Sequence, residues 1–584
     1  MIWAYVDDIT IKCQLTLLCE ILSAIRTALA RYGCELQPKK CNICVPNLRH
    51  TPRERWPQPL RDAAAMGFTV NNASIPLLGS DAAAAHAVTL AVEPHGVNPT
   101  VDATAQRTRK ALRLLDCCLQ LARSNACSGG RWPALCIARD IACRALTYDA
   151  RVLPCSLVLP HADAVMTSAW KILEEVAGTE LTENQCSQAH LPLDLGGIAW
   201  PDLMNEVPLA RLASIIEMGP HLRAALGSRR PGTDNATISD LDVASRDSEL
   251  LHRAAQVGVY PGPSGLPAQV AAADPMRPPA PARHLLSAYL RRAGEHRLHE
   301  LWLCTSAADH TRILSGGGAI SGQSLVAPPT TEGVIFTDEE IRTAIRWRLG
   351  VQMAAGLCRN EPKTGGDRCS AAIHTDGHHC LSCMVGPARY AMHNAIADFL
   401  ADLLVEAGAV ARREVFVPEF MSNTGPASPD DEAQRKAAYL DVWGFGTNDI
   451  VDLLIDVTVR NSAARRYAPH AAITAGATAR KAAEEKQLRY PPRGGRRATT
   501  FAVEGWGRVG AEGEALLLSL RAAADRRAAR HGHVQPGRFA RWRRQLDAIV
   551  QRGITRCILS ATTGIPGRPH ARSRPAGLFS TSQT

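Results

Sequence analysis

Two groups of acidic residues in this 584-residue chain have the types and the spacing that metal-dependent phosphoryl transfer requires. Asp7 and Asp8 are adjacent and lie between two short apolar runs, a pattern that predicts the turn of a β-hairpin. Such a turn can hold two divalent ions that bind the attacking and leaving oxygens of a phosphoryl group. Far downstream, Asp441 and Asp456 lie in two Val-, Leu- and Ile-rich segments, and Lys486 follows in a helical pattern.

The downstream residues predict hydrolysis of a phosphodiester. Acids on neighbouring strands can bind Mg²⁺ or Mn²⁺ through oxygen ligands, and a lysine can orient the water or stabilise the transition state. Glu414, on the preceding predicted strand, is an additional candidate acid. Asp452, Lys481 and Glu504 are alternative choices. The competing interpretation is that the acids are solvated strand ends and that the lysine belongs to an ordinary charged helix face.

A third group combines thiols with imidazoles. Seven candidate ligands fall within 26 residues: Cys358, Cys369, His374, His378, His379, Cys380 and Cys383. Thiolate and imidazole together favour Zn²⁺ in a closed tetrahedral site, where four protein ligands stabilise the fold. Buried thiols without a metal are the alternative. Cys41 and Cys44 have no second ligand pair at zinc-site spacing and are predicted to be structural.

The composition predicts several intracellular domains with a polyanionic partner. A chain of this length exceeds what one core supports, and its formal charge of +10 favours binding to nucleic acid. The 18 Cys residues are too sparse for a disulfide scaffold. No basic-then-apolar leader follows Met1 and no uncharged apolar run reaches about 18 residues, so we expect no membrane segment.

The N-terminal motifs resemble those of a known polymerase family. The Tyr5-to-Asp8 string is followed by an amphipathic helix, by Gly33-Cys34-Glu35-Leu36-Gln37-Pro38-Lys39-Lys40, by residues 66–70 and by residues 75–79. In this order they resemble the last three palm motifs of reverse transcriptases of non-LTR retrotransposons. The resemblance implies that Asp7 and Asp8 are catalytic and that a third carboxylate lies on a strand upstream of the chain. We therefore expect no polymerase activity from this chain alone.

The C-terminal motifs resemble the same class of element. The string from Thr375 to Cys383 is similar to the Cys-Cys-His-Cys knuckle of site-specific elements, which implies Cys369, His378 and Cys383 as zinc ligands. Cys358 is the fourth ligand in this interpretation, with His374 or Cys380 as substitutes, because ten residues separate Cys358 from Cys369 where the family has a short Cys-x-x-Cys.

Residues 439–490 resemble the restriction-like endonuclease of these elements, a PD-(D/E)xK relative. The resemblance implies Asp441 and Asp456 as metal ligands, Lys486 as the catalytic cation and Tyr490 as its support. Two positions depart from the restriction-enzyme pattern: Leu440 replaces the usual Pro, and Thr458 stands where those enzymes have Lys. In the retroelement family that lysine is on the following helix, as Lys486 is here.

The elements that must position these residues predict an α+β multidomain chain. The predicted divisions are a partial reverse-transcriptase palm at 1–80, a helical thumb and connection at 81–255, a Pro/Ala-rich linker at 256–283, a helical region at 284–357, a zinc knuckle at 358–387, a PD-(D/E)xK-like α/β nuclease at 388–520, a basic helical region at 521–563 and a disordered tail at 564–584. Residues 191–203 contain a Leu-Pro…Gly-Gly…Pro-Asp-Leu string that resembles the segment behind the thumb in the same retroelement family. Residues 316–318 are predicted to form a flexible Gly loop.

The resemblance implies the C-terminal part of a retrotransposon polyprotein that nicks chromosomal DNA, in the nucleus, and primes reverse transcription of its element RNA there. The alternative is a non-catalytic nucleic-acid-binding remnant, and a decayed fragment that never folds stably is a third possibility. Metal-dependent nicking separates the first two, whereas DNA binding does not.

Overall fold

The computed structural model describes residues 2–5, 8–11, 18–30, 42–44, 52–71, 76–77, 80–81, 102–124, 129–227, 282–328, 334–362, 366–420, 439–532 and 535–564. They form a mixed α+β structure that is mostly helical. The chain divides into two compact units. Unit 1 comprises Met1–Cys117, Arg139–Trp170 and Asp202–Ala293, and unit 2 comprises Cys118–Ala138, Lys171–Pro201 and Gly294–Thr584.

The described helices are α1 (Leu18–Ala30), α2 (Gln58–Ala65), α3 (Asp102–Arg123), α4 (Arg131–Ile137), α5 (Thr147–Val152), α6 (Cys155–Ala177), α7 (Glu183–His190), α8 (Leu203–Gly227), α9 (Ala282–Cys304), α10 (Ala307–Gly316), α11 (Asp338–Leu349), α12 (His378–Ser382), α13 (Ala388–Glu406), α14 (Ala468–Ala471), α15 (Ala477–Arg489), α16 (Ala511–Arg530) and α17 (Arg538–Thr563). Short 3₁₀ segments lie at Arg53–Arg55, Cys143–Leu146, Leu193–Leu195 and Pro418–Phe420, and a π-helical turn at Ala138–Ala142.

The described strands are β1 (Ile2–Tyr5), β2 (Asp8–Ile11), β3 (Asn42–Cys44), β4 (Thr69–Asn71), β5 (Pro76–Leu77), β6 (Ser80–Asp81), β7 (Gly356–Leu357), β8 (Ala372–Ile373), β9 (Val410–Phe416), β10 (Tyr439–Phe445), β11 (Asp452–Arg460) and β12 (Ala498–Glu504).

Unit 1 contains the N-terminal hairpin and a small apolar core. Strands β1 and β2 pair antiparallel with Tyr5 opposite Asp8, so the predicted hairpin is present. Elsewhere in this unit, Asp149 is fully buried and accepts hydrogen bonds from Thr104 Oγ1 at 3.2 Å and from Arg107 Nε at 2.8 Å. A buried carboxylate is tolerated because these donors compensate for its lost hydration.

In unit 2, two buried charges fix the segment after α10. Asp547 of α17 accepts hydrogen bonds from the main-chain N–H of Gly322 at 2.9 Å and of Ser324 at 2.7 Å. Arg348 of α11 donates from Nη1 to Ser321 Oγ at 2.9 Å. The Gly316–Gly318 stretch is mostly buried, and the Gly318 N–H donates to Asp194 O at 3.0 Å. The prediction of a flexible Gly loop is therefore wrong, because these backbone groups are packed and hydrogen-bonded.

A four-stranded sheet in unit 2 has the order β12-β11-β10-β9. Strands β11 and β12 are parallel, and the other neighbouring pairs are antiparallel. A parallel pair requires a crossover connection, which α14 and α15 supply. One face of the sheet packs into a large core with α13, α16 and α17, whereas the other face forms a smaller cluster around Leu440, Leu454 and Tyr490.

The two C-terminal helices belong to the core of this sheet. The predicted boundary at residue 520 lies inside α16, and Leu520, Trp542 and Leu546 are buried in the same cluster as the strands. The separate basic region predicted at 521–563 is corrected accordingly: the apolar faces of its helices pack against the sheet, and Arg538 is buried among them. This arrangement follows from the amphipathic pattern of α17.

Two predicted segments lie outside the described residues: the linker at 256–283, up to residue 281, and the tail beyond residue 564. None of the described helices combines the length and the apolar character that crossing a membrane requires.

Candidate functional site

The pairing of β9 with β10 is interrupted at the first candidate acid. The residues on either side are paired, whereas Asp441 and Glu414 are skipped, and Glu414 has a positive φ of 53°. The alternation of side chains also shifts here, because Leu440 and Val442 contribute to clusters on opposite faces. The register is the same on both sides of the interruption, so no residue is inserted and the distortion is local to this pair. The irregularity therefore explains how Asp441 leaves the regular pleat.

Asp441 lies where β10 and β11 separate. The last paired residues of the two strands are Val442 and Ile455. Beyond this pair, the Val457 main-chain N–H donates a 2.6 Å hydrogen bond to Asp441 Oδ2. A carboxylate has thus taken the place of strand pairing, and it is anchored in the gap between the strands.

His393, in the first turns of α13, supports the same carboxylate. Its Nε2 lies 3.3 Å from Asp441 Oδ2 and 3.1 Å from Val457 O. Burial acts to raise the pKa of Asp441, but the His393 interaction and the Val457 N–H hold it below its usual value. Burial acts to lower the pKa of His393, and Asp441 more than offsets this, so that pKa is raised.

Asp456 has a different environment. Its side chain is only 5% exposed, and Lys486 Nζ lies 2.6 Å from its Oδ2. Apart from this ion pair, Oδ2 is buried and has no hydrogen-bond donor among the described residues. Burial raises the pKa of Asp456 above its usual value, although the positive charge of Lys486 opposes the shift. The negative charge of Asp441 also raises it, because the two acids lie in adjacent strands.

Helix α15 positions Lys486 beside Asp456. The Glu504 carboxylate, buried at the end of β12, accepts a 2.9 Å hydrogen bond from the Ala479 N–H and so stabilises the first turn of α15. At the other end of the helix, Lys486 Nζ lies 5.7 Å from the centre of the buried Tyr490 ring. The sequence-based expectation that Tyr490 supports Lys486 agrees with this placement.

The alternative residues lie elsewhere. Asp452 pairs with Arg496 at 2.7 Å, and Lys481 contacts the Arg466 carbonyl at 3.4 Å. Glu504 caps α15, as described above. The Glu414 side chain is exposed and makes no hydrogen bond to either acid among the described residues. The structure therefore brings Asp441, Asp456 and Lys486 together and leaves Glu414 at the edge of the group.

The acids and their surroundings suit a divalent cation. Mg²⁺ and Mn²⁺ prefer carboxylate oxygens, and Asp441 and Asp456 offer such oxygens in adjacent strands. The environments also separate the pKa values of the two acids, a pattern associated with catalytic carboxylates. Sequence reasoning missed His393, because a histidine near a helix start has no distinguishing spacing until its strand partner is known.

The thiols and imidazoles form a second site. Cys358, Cys369, His379 and Cys383 have ligand atoms that all lie within 4.8 Å of one another. Cys358 Sγ is 3.8 Å from Cys383 Sγ, and Cys369 Sγ is 3.4 Å from His379 Nε2. A tetrahedral ion with ligands at about 2.3 Å (S) and 2.0–2.1 Å (N) has edges of roughly 3.8 and 3.5 Å. The cluster therefore has the dimensions of a metal site such as that of zinc.

The histidine ligand differs from the one predicted. Helix α12 starts after Gly377, which has a φ of +67°, and residues four apart on a helix share a face. His379 therefore faces the cluster with Cys383, whereas His378 points away and packs edge-on against Trp347 and Trp506 at 5.9 and 5.6 Å. His378 is replaced by His379 in the ligand set, and Cys358 is placed in it as predicted. The four-residue spacing between His379 and Cys383 was the signal in the sequence that could have identified this ligand.

Main-chain donors favour a thiolate in this cluster. Burial acts to raise the pKa of Cys383, but hydrogen bonds from Asn360 and from the N–H groups of Val385 and Gly386 hold it below the usual value. Burial raises the pKa of Cys358 to about 12. A metal ion must therefore displace a proton from Cys358 when it binds, which makes binding dependent on pH.

The N-terminal acids cannot be placed at the same level of detail. Asp7 lies outside the described residues. Asp8 begins β2, and only its backbone is described.

No protein-family model matches this chain, and no curated protein is significantly similar to it.

Proposed function

We propose that the sheet of unit 2 and its helices form a metal-dependent DNA endonuclease. The observation that carries this proposal is the buried Asp456, with Lys486 Nζ at 2.6 Å, in the strand next to Asp441. Two acids at a strand separation, with a lysine delivered by a packed helix, form a group suited to hydrolysis of a phosphodiester. The PD-(D/E)xK resemblance of the sequence supports the same activity.

In the proposed reaction, each residue has a defined task. Asp441 and Asp456 provide oxygen ligands for Mg²⁺ or Mn²⁺. When bound, such an ion would activate water and offset charge on the scissile phosphate. Lys486 donates a hydrogen bond from Nζ to the attacking water or to a phosphate oxygen, and His393 keeps Asp441 in position.

We further infer that the chain derives from a non-LTR retrotransposon polyprotein, with a partial palm at 1–80 and a zinc knuckle at Cys358, Cys369, His379 and Cys383. The order of motifs supports this origin, and the β1–β2 hairpin is compatible with it. On this proposal the partners are a chromosomal DNA target and the element RNA, and the site of action is the nucleus.

Nicking of supercoiled plasmid by the zinc-loaded full chain tests the nuclease proposal. Asp456→Asn should reduce Mg²⁺- or Mn²⁺-dependent nicking by roughly 100-fold or more, because it removes a ligand charge from the metal. Salt-sensitive DNA binding should remain, since a carboxylate does not attract phosphate. Asp452→Asn is the matched control in the same strand, because Asp452 pairs with Arg496 outside the site.

The result can also reject the proposal. If the folded wild-type protein binds DNA and does not nick it with either metal, the non-catalytic nucleic-acid-binding alternative replaces the nuclease. Equal losses in Asp456→Asn and Asp452→Asn would show that β11 was disturbed and that no specific ligand was removed.

A further inference from the structure

Arg460 places a positive charge on the strand that carries Asp456. The two residues are four apart in β11, and alternate residues of a strand face the same side. At about 3.3 Å per residue, their Cα atoms are separated by roughly 13 Å. This distance corresponds to the axial length of roughly four nucleotides in duplex DNA.

Arg460, Arg466 and Lys481 surround Tyr467 and Glu485, and we call these three basic side chains the basic cluster. Arg460 Nη2 is 3.8 Å and Arg466 Nη2 is 3.5 Å from Glu485 Oε2. The Arg466 guanidinium carbon is 4.5 Å from the centre of the Tyr467 ring, and Lys481 Nζ is 5.7 Å from it. Two arginines thus share the Glu485 carboxylate, on the residue before the candidate catalytic lysine, and Lys481 lies beside Tyr467.

The arginines of the basic cluster have donors that Glu485 does not fill. Both of their contacts with Glu485 are longer than the roughly 2.7–2.9 Å of a charge-assisted hydrogen bond. The Arg460 side chain is 24% exposed, and Arg466 Nη2 also donates to the Tyr467 hydroxyl. The Arg466 side chain is 55% exposed. A further arginine, Arg389, is near enough for the positive charge of Arg460 to contribute to its lowered pKa, after burial as the larger cause.

We propose that the basic cluster binds backbone phosphates of the DNA strand beside the bond that the nuclease site cuts. This inference rests on the proposed nuclease function. Guanidinium groups match the geometry of phosphate oxygens, and a DNA strand offers phosphates at a regular spacing. Contact at a fixed distance from Asp456 determines which phosphodiester reaches Asp441 and Asp456. The basic cluster is therefore a subsite that sets the position of the cut.

Metal-free DNA binding tests the subsite independently of catalysis. The probe is a fluorescently labelled duplex of mixed sequence, titrated with the zinc-loaded full chain over a series of salt concentrations without Mg²⁺ or Mn²⁺. The Arg460→Ala/Arg466→Ala variant should bind roughly tenfold more weakly, and the slope of log K against log salt should fall by roughly 0.9 for each phosphate contact removed. Arg497→Ala is the control, because this exposed arginine pairs with Glu512 at 3.1 Å.

The single variant Arg466→Ala protects the test against misfolding, because this side chain is more than half exposed. It should lower the slope by roughly 0.9 without changing the thermal midpoint. An unchanged slope in both variants, or an equal loss in Arg497→Ala, would overturn the inference.

Cleavage products separate this inference from the function on which it rests. With Mg²⁺ or Mn²⁺ added, the double variant should nick the labelled duplex at more scattered positions than the wild type. Nicking with unchanged positions and an unchanged slope would reject the subsite and leave the nuclease standing. A lowered slope in a protein that never nicks would reject the nuclease and reduce the basic cluster to a phosphate-binding surface.

Discussion

Asp441 and Asp456 are neighbours with opposite electrostatic environments. Asp441 accepts a main-chain N–H and contacts His393, which stabilise its charge, whereas Asp456 is buried with one cation as its partner. The pKa of Asp441 is lowered and that of Asp456 is raised. In the metal-free protein Asp441 is therefore the more permanent anion, and we expect it to hold a cation first. Asp456 then joins as a ligand when its proton or its Lys486 contact is displaced.

The His393–Asp441 pair should make stability depend on pH. The pKa of His393 is raised above 6.5, so its contribution is complete below that value and is lost as the pH rises through the folded pKa. The pKa of Asp441 is lowered below 3.8, so its contribution is present above that value and is lost as the pH falls through the folded pKa. The pair therefore stabilises the fold most between 3.8 and 6.5.

Thermal unfolding of zinc-loaded, Mg²⁺-free protein measures this effect. His393→Ala should lower the midpoint more at about pH 6 than at about pH 9. At the higher pH the imidazole of the wild-type protein has already lost its charge. In an Asp441→Asn background the same substitution should lose most of this pH dependence. A midpoint difference that is constant across the range would contradict the assigned ion pair.

At this scale the sequence predicts residues that stand out from their surroundings. Asp441 and Asp456 are charges in apolar strands, and an unpaired charge there would be costly. Their assignment as catalytic ligands stays a prediction, although the structure places them in adjacent strands with Lys486. His393 has no comparable signal, because its partner is 48 positions away and depends on the strand separation.

At the level of elements, the predicted and the observed bounds agree where neighbouring residues alone determine the structure. The apolar pattern of residues 449–459 predicts a strand, and β11 spans Asp452–Arg460. The pattern of residues 475–490 predicts a helix, and α15 spans Ala477–Arg489. The pattern from Trp132 to Tyr148 predicts a helix, but a π-helical turn at Ala138–Ala142 interrupts it. A change of hydrogen-bond register of this kind has no clear signal in side-chain periodicity.

The start of α12 decides which histidine is a metal ligand. Gly377 adopts a left-handed conformation just before the helix, and consecutive helical residues point in directions about 100° apart. The family resemblance indicated that a histidine of this segment binds metal. Only the start of the helix shows that it is the second one.

Zinc affinity should therefore distinguish the two histidines. His379→Ala should weaken Zn²⁺ binding by roughly 100-fold or more, because it removes one of four ligands. His378→Ala should change affinity only a few-fold and should instead lower the thermal midpoint, because it leaves a cavity beside Trp347 and Trp506. Competition with a chromogenic chelator measures both variants.

A reversed order of affinities would restore His378 as the ligand. Cys369→Ser serves as a positive control, since its Sγ lies 3.4 Å from His379 Nε2. Its loss of zinc should equal or exceed that of His379→Ala.

Within unit 2, the candidate metal cluster and the proposed nuclease site share structural supports. Asn461, directly after β11, donates from Nδ2 to His378 O at 3.0 Å and to Ser382 Oγ at 2.9 Å. Trp347 and Trp506 stack at 4.9 Å beside His378, and Trp506 follows β12. Helix α12 therefore contacts residues that directly follow both parallel strands, through hydrogen bonds from Asn461 and packing of His378 against Trp506. A disturbance at the cluster should reach Asp456 through only five residues of chain.

Two ways of inactivating the proposed nuclease should have different effects on stability. Stripping zinc with a chelator should lower the thermal midpoint and abolish nicking together, because α12 then loses the ion that links it to the other ligands of the cluster. Added Mg²⁺ should not restore nicking, whereas added Zn²⁺ followed by Mg²⁺ should. Asp456→Asn should abolish nicking while leaving the midpoint equal or higher, since the raised pKa of Asp456 means that its ionised form destabilises the fold even with Lys486 beside it.

The combination of measurements tests whether the cluster is a structural support for the nuclease site. Nicking by zinc-free protein at the wild-type rate would show that the two sites are independent, whatever happens to the midpoint. A midpoint that falls equally in Asp456→Asn and in zinc-free protein would mean that Asp456 mainly stabilises β11 through Lys486. The proposal requires that Asp456→Asn loses nicking without loss of stability, whereas zinc-free protein loses both. Asp456 then acts in catalysis, and the metal cluster supports the strand that carries Asp456.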